Sequence, residues 1–179
     1  RHCPFAEVAE CAAANSITFG APTKTFNLAG VVSSYAIVPD AGLRRRFFDW
    51  LRARELNEPT VFAPIATIAA FRRGETWRRE MLAYVEDNIR FVEAYCRDHL
   101  PAVRPVRPEA SFLVWLDCRR LGLNREQLLD LFVDKAHLAL NDGEMFGTGG
   151  AGFMRLNVGT PRAVLEQAMR QLAEAIAPL

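Results

Sequence analysis

Ala21-Pro22-Thr23-Lys24-Thr25-Phe26-Asn27-Leu28-Ala29-Gly30 sets a lysine among small and apolar residues, directly after a segment with the composition of a strand. Lysine is scarce in this chain. Of its 22 lysines and arginines only Lys24 and Lys135 are lysine, so arginine is used almost wherever positive charge is needed. Arginine stays protonated at any working pH, whereas a desolvated lysine can lose its proton and serve as an amine nucleophile. Lys24 is therefore a candidate for covalent chemistry. A plain surface lysine in a loop is the alternative that these residues leave open.

Upstream of the lysine, Ser16-Ile17-Thr18-Phe19-Gly20 has the β-branched and aromatic content of a strand, and the alanine-rich run from Phe5 to Ala14 reads as one short helix. That order puts Lys24 at the C-terminal end of a strand, where open α/β sheets hold their ligands. Downstream, Val31 to Val38 reads as a second, buried strand, closed by the turn and helix-start signal Pro39-Asp40. Leu43 to Arg54 is amphipathic, with Arg44-Arg45-Arg46 as a solvated face. After the break at Glu58-Pro59-Thr60, Val61 to Arg73 predicts a helix with no polar face, suited to burial between layers or at a subunit contact. Glu75 to Leu100 is the longest helical stretch, and at about 1.5 Å per residue it could span two domains.

The proline-rich run Pro101 to Pro108 marks a shift in composition, and a smaller α/β domain is expected beyond it. Ser111 to Asp117 reads as a strand covered by helices. Asn124 can cap a helix running to about Lys135, with Leu128, Leu129 and Phe132 inward. Leu138 to Leu140 is expected to be a short strand, Asp142 to Gly152 a glycine-rich loop, and Phe153 to Val158 another strand. Pro161 then starts a last helix, in which Leu165, Met169, Leu172 and Ile176 recur every three to four residues.

Composition bounds the function classes. With 179 residues, half of them hydrophobic, and a formal charge of +1, the chain reads as a soluble globular protein with no call on nucleic acid or an anionic membrane surface. No apolar run approaches the roughly twenty residues of a membrane span, and a cytoplasmic location is expected. The four cysteines are scattered and read as reduced thiols, mostly packed. His2, His99 and His137 are isolated, so no metal site or catalytic triad is expected. The loop Gly143 to Gly152 has neither a following helix nor a Gly-Lys-Ser/Thr ending, which excludes a nucleotide loop.

The run around Lys24 resembles the lysine motif of fold-type I pyridoxal-phosphate enzymes, and within them it is most similar to the MalY/PatB branch of cystathionine β-lyases. Pro108-Glu109-Ala110-Ser111-Phe112-Leu113-Val114-Trp115-Leu116-Asp117 resembles that family's small-domain strand. Gly152-Phe153-Met154-Arg155-Leu156-Asn157-Val158-Gly159-Thr160-Pro161-Arg162 resembles its arginine-bearing strand. The resemblance implies an α/β fold, the C-terminal part of a fold-type I transferase. Residues 1–78 would be a remnant of the large cofactor-binding domain, 79–100 a long interdomain helix, and 101–179 the small C-terminal α/β domain. It also implies that Lys24 bonds to pyridoxal 5'-phosphate and, once freed, moves protons at the substrate α-carbon. Arg155 would hold the substrate carboxylate through two parallel hydrogen bonds. Apart from the resemblance, Arg155 reads as an ordinary strand-edge arginine.

Thr23 could offer its hydroxyl to the cofactor phosphate. Arg162, in the first turn of a helix, is an unfavourable place for a cation and reads as structural. The chain departs from the wider aminotransferase pattern at Ala21, where serine or glycine is common, and at Val32, where a phosphate-binding arginine is common. Loss of that arginine favours the lyase branch. The implied activity is cleavage of cystathionine or related cysteine S-conjugates to thiol, pyruvate and ammonia. An aminotransferase of the same fold is one alternative, and a catalytically silent binding or regulatory module is another. Residues expected upstream of the lysine, to hold the pyridine ring and most of the phosphate, have no counterpart here, so the chain is expected to be the back half of something longer. A small amino-acid substrate and a homodimer in the full-length protein complete the expectations.

Overall fold

The computed structural model describes residues 2–178, so Arg1 and Leu179, at the outer ends of two expected domains, lie outside the description. The chain divides into two compact units, Arg1–Glu80 and Met81–Leu179.

The first unit is built from short elements. In place of one helix from Phe5 to Ala14 there is a 3-10 turn, Phe5–Glu7, and a separate helix α1, Glu10–Ala14. Ala9 between them is extended, and Phe5 and Val8 are exposed, so no packed apolar face holds a continuous helix together. Strands β1 (Thr18–Gly20) and β2 (Tyr35–Ile37) pair antiparallel, with Gly20 opposite Tyr35. A Cβ on Gly20 would lie 2.4 Å from the Tyr35 ring, so the glycine lets the tyrosine fold across the strand.

The buried strand expected over Val31 to Val38 is a correction. Its first part coils into a 3-10 turn, Ala29–Val31, and Val32 then takes a left-handed conformation with φ 52°. Only Tyr35–Ile37 is extended, and Tyr35 and Ile37 are exposed. Lys24 follows the C-terminal end of β1 as expected, but β1 pairs antiparallel with β2 and, among the described residues, does not belong to an open parallel sheet whose strand ends form a ligand crevice.

Helix α2 (Ala41–Arg52) starts where Asp40 accepts a hydrogen bond from the Leu43 amide at 2.6 Å. Arg44 folds back to donate to the Val38 and Pro39 carbonyls, leaving Arg45 and Arg46 on the exposed face. Helix α3 (Phe62–Arg73) is largely apolar, yet it is not buried between layers of this chain: Ala63 is covered, while Phe62, Ile65, Ile68 and Phe71 are exposed. One side of it, through Ala66, Ala69 and Ala70, borders Phe26 and Leu28 of the Lys24 segment.

Helix α4, Glu75–His99, begins in the first unit and runs on into the second, where Val85, Ile89, Val92 and Cys96 form its buried stripe. The second unit holds a four-stranded antiparallel sheet in the order β3 (Arg104–Val106), β4 (Leu113–Asp117), β6 (Phe153–Asn157), β5 (Asn141–Asp142). The proline-rich run is thus part of the sheet as well as a change of composition. Pro105 sits in an edge strand, where a missing N–H is tolerated, and Arg107 bonds Glu86 and Glu93 on α4.

Burial in β4 alternates: Val114 and Leu116 are inside, while Leu113, Trp115 and Asp117 face outward. Helices therefore cover one face of the sheet rather than both. Helix α5 (Arg125–Asp130) is fixed by reciprocal hydrogen bonds between Asn124 and Gln127 and passes into a π-turn, Leu131–Lys135. The strand expected at Leu138 to Leu140 is a second correction. His137 is left-handed and the Leu138 amide still bonds the Phe132 carbonyl, so the chain becomes extended only at Asn141. Helix α6, Arg162–Ile176, follows Pro161 and buries Leu165, Met169 and Leu172.

Candidate functional site

Lys24 sits in a single closed turn. The Phe26 amide donates to the Pro22 carbonyl and the Leu28 amide to that of Thr23, while Asn27 takes the left-handed conformation that ends a helical turn. Asparagine tolerates that conformation better than most residues, which accounts for the Phe26-Asn27-Leu28 sequence. Pro22 is buried, and Phe26 and Leu28 face a cavity of about 380 Å³ shared with α3, Gly74 and Trp77. Phe26 packs edge-on against Phe71. Gly74 permits this seat, because a Cβ there would lie 2.7 Å from the Phe26 ring. The backbone bearing Lys24 is thereby anchored while its side chain is exposed.

The two lysines differ. Lys135 is paired with Asp130 at 2.8 Å, whereas Lys24 makes no ion pair among the described residues. The amine is carried on an anchored turn, where it can join a group through a carbonyl carbon, but it is exposed here and not desolvated as the sequence argument expects. Thr23, half-buried in the same turn, is near enough in sequence to offer a hydroxyl to a ligand of Lys24; its described hydrogen bond there is through its backbone carbonyl.

Arg155 lies at the middle of β6, in the second unit. Trp115 stands opposite it on β4 and Asn141 opposite it on β5. Its Nη2 donates to Asn141 Oδ1 at 2.9 Å, and its guanidinium lies 4.3 Å from the Phe146 ring centroid. Its Nε is buried without a hydrogen-bond partner, and Arg155 has no carboxylate partner among the described residues. An arginine oriented by an amide and a ring, with no carboxylate of its own among the described residues, suits an incoming carboxylate.

Arg162 plays a structural part. Its Nε donates to Asn88 Oδ1 at 2.9 Å, its guanidinium lies 4.6 Å from the Phe91 ring, and its amide donates to Tyr84. Asn88, fully buried, also donates to the Val158 and Thr160 carbonyls, so α4 holds the exit of the Arg155 strand. Cys96 and Cys118 are buried, and burial pushes both thiols up to about 12; Cys3 and Cys11 are exposed. Among the described residues no cluster of three His, Cys, Asp or Glu is placed to hold a metal, and no helix is long and apolar enough to cross a membrane.

The partners of Arg155 were beyond a reading of local sequence. Phe146 belongs to a stretch read as a loop, Asn141 falls between that loop and the expected strand before it, and Trp115 reads there as one apolar residue of a strand. The signal that could have found Trp115 is the period-two alternation of Leu113 to Asp117, combined with an antiparallel pairing to the arginine strand.

No family model matches the chain. It is 38% identical over 176 residues, 98% of its length, to "Cystathionine beta-lyase PatB" of Bacillus subtilis (strain 168), and 31% identical over 155 residues, 86% of its length, to "Protein MalY" of Escherichia coli (strain K12). These matches take in 46% and 40% of those proteins, so the chain spans less than half the length of the relatives it matches. Among solved structures, a PLP-bound protein of Clostridium difficile 630 superposes with a TM-score of 0.94 at 38% identity, over 98% of this chain and 46% of that one. The part matched is its C-terminal portion.

Proposed function

Because the chain belongs to the MalY/PatB branch of the fold-type I pyridoxal-phosphate enzymes, we propose that it carries the lysine and the carboxylate clamp of a C–S β-lyase acting on cystathionine or related cysteine S-conjugates. What carries this reading is Lys24, the one of two lysines that is left without an ion pair and presented on an anchored turn. Pyridoxal phosphate would be held through Lys24 with help from Thr23, and when bound it supplies an electron sink for the substrate α-carbon. The Lys24 amine takes the proton from that carbon. Arg155, oriented by Asn141, binds the substrate carboxylate through its Nη groups, which turns the α-proton towards a fixed direction.

The proposal includes residues 1–78 as the end of a cofactor-binding domain, 79–100 as the helix between domains and 101–179 as the small domain. It also includes a homodimer and a cytoplasmic location for the working protein. Pyridoxal phosphate titrated into the chain, reduced with borohydride and mapped by peptide should label Lys24, and Lys24→Ala should lose the label. Labelling at Lys135 instead would overturn the assignment. Pyruvate and ammonia formed from cystathionine support the lyase, while amino transfer to a keto acid would replace it with an aminotransferase.

A further inference from the structure

Beside Arg155, the open face of the four-stranded sheet carries a cleft of about 610 Å³ that the proposed chemistry leaves unused. Trp115 lies directly across the strand pair from Arg155. Phe146 and Phe153 meet the indole nearly at right angles, with ring centroids 5.4 and 6.0 Å away. Val106 of β3 forms another side and is itself exposed. The rim is backbone, from Gly147 to Gly150, with Thr148 supplying the one side chain.

The rim is held open by its own construction. Gly147 has φ 124° and ψ −179°, a conformation reserved for glycine. Gly143 and Gly150 meet backbone to backbone, so closely that a Cβ on either would collide with the other's carbonyl oxygen. The cleft falls within the roughly 300–1,000 Å³ typical of small-molecule sites. It borders one uncompensated cation through a shared wall, because Phe146 lines the cleft and also lies under the Arg155 guanidinium.

A ligand matching both features carries a carboxylate and, a few bonds away, a bulky apolar group. A second charged end placed among Trp115, Phe146 and Phe153 would exchange water for aromatic faces, and the cation beside those rings other than Arg155, Arg119 at 4.9 Å from the Phe153 ring centroid, is already paired with Asp117. Resting on the reading of Arg155 as the carboxylate clamp, we infer that this aromatic cleft receives the apolar S-substituent of the substrate. The chain thus selects cysteine conjugates with aryl or branched alkyl groups over cystathionine, whose distal end is charged.

The test is calorimetric titration of the chain with 3-phenylpropanoate, propanoate and 3-phenylpropan-1-ol, which needs neither turnover nor cofactor. The aryl acid should bind at least about tenfold more tightly than either of the other two. Trp115→Ala should erase the gap between the two acids. Val106→Trp, an exposed position where added bulk fills the cleft without opening the core, should erase it too. Arg155→Gln should erase the gap between acid and alcohol. Equal affinity for the two acids, or an aryl preference that survives both cleft variants, overturns the inference. An aryl preference that needs Trp115 but ignores the carboxylate supports the cleft and overturns the clamp.

Discussion

Val32 is a β-branched residue held at φ 52° and ψ 67°, in a region such residues rarely occupy, and its side chain is 75% exposed. No packing offsets the strain. Val32→Asn should therefore stabilise the chain by about 1 kcal/mol, read as a higher urea midpoint with an unchanged slope. The buried thiols give a pH dependence of definite sign. Cys96 and Cys118 are kept neutral by burial, with values near 12, while the unfolded chain releases thiol protons near 9. Their contribution is fully present below pH 9 and is lost as pH rises from about 9 towards 12. Urea midpoints should fall across that window, and Cys96→Val should lessen the fall. At this scale scarcity singles out Lys24 one position at a time, whereas Arg155 is singled out only by the resemblance of its strand. The sequence was silent about the orphaned Nε of Arg155, whose surroundings come from β4, β5 and the loop between β5 and β6.

Among the elements, those with strong periodicity or a capping residue were legible. Asp40 and Asn124 start helices α2 and α5, and in α6 Leu165, Met169 and Leu172 are buried as their spacing indicates, with Ile176 only partly covered. Elements whose ends depend on left-handed residues were not. Val32 shortens β2 and His137 delays β5, and neither valine nor histidine advertises a positive φ. Asn88 is a third kind of case: a polar residue on the buried stripe of α4 that reads as a defect until its three partners are seen. Asn88→Leu would leave the Val158 and Thr160 carbonyls and Arg162 Nε without their partner, at a cost on the order of 3 kcal/mol. Denaturant unfolding should show that loss. Asn88→Asp should not restore stability, since a carboxylate accepts from Arg162 but cannot donate to two carbonyls.

Over the whole molecule, interior and surface are unevenly shared. Every member of the contiguous core, from Val85 to Leu172, belongs to the second unit, with Phe132, Val92, Met154 and Val158 fully buried. In the first unit, the described core hydrophobics are Ala12, Val38 and Ala63, while Phe5, Phe19, Phe62 and Ile65 lie open. A binary count of apolar residues could not reveal this, because α3 is as hydrophobic as a core helix and differs only in having little packed against it. Phe132→Ala should accordingly cost about 3–5 kcal/mol, while Phe62→Ala should cost far less, a contrast that thermal unfolding would resolve. The same imbalance has a signature in heat. The heat-capacity rise on melting follows the apolar surface newly wetted, so a scanning calorimeter should record about 1.2–1.5 kcal/mol/K, the increment of a 100-residue domain, rather than the roughly 2.1–2.7 that 179 evenly packed residues would give.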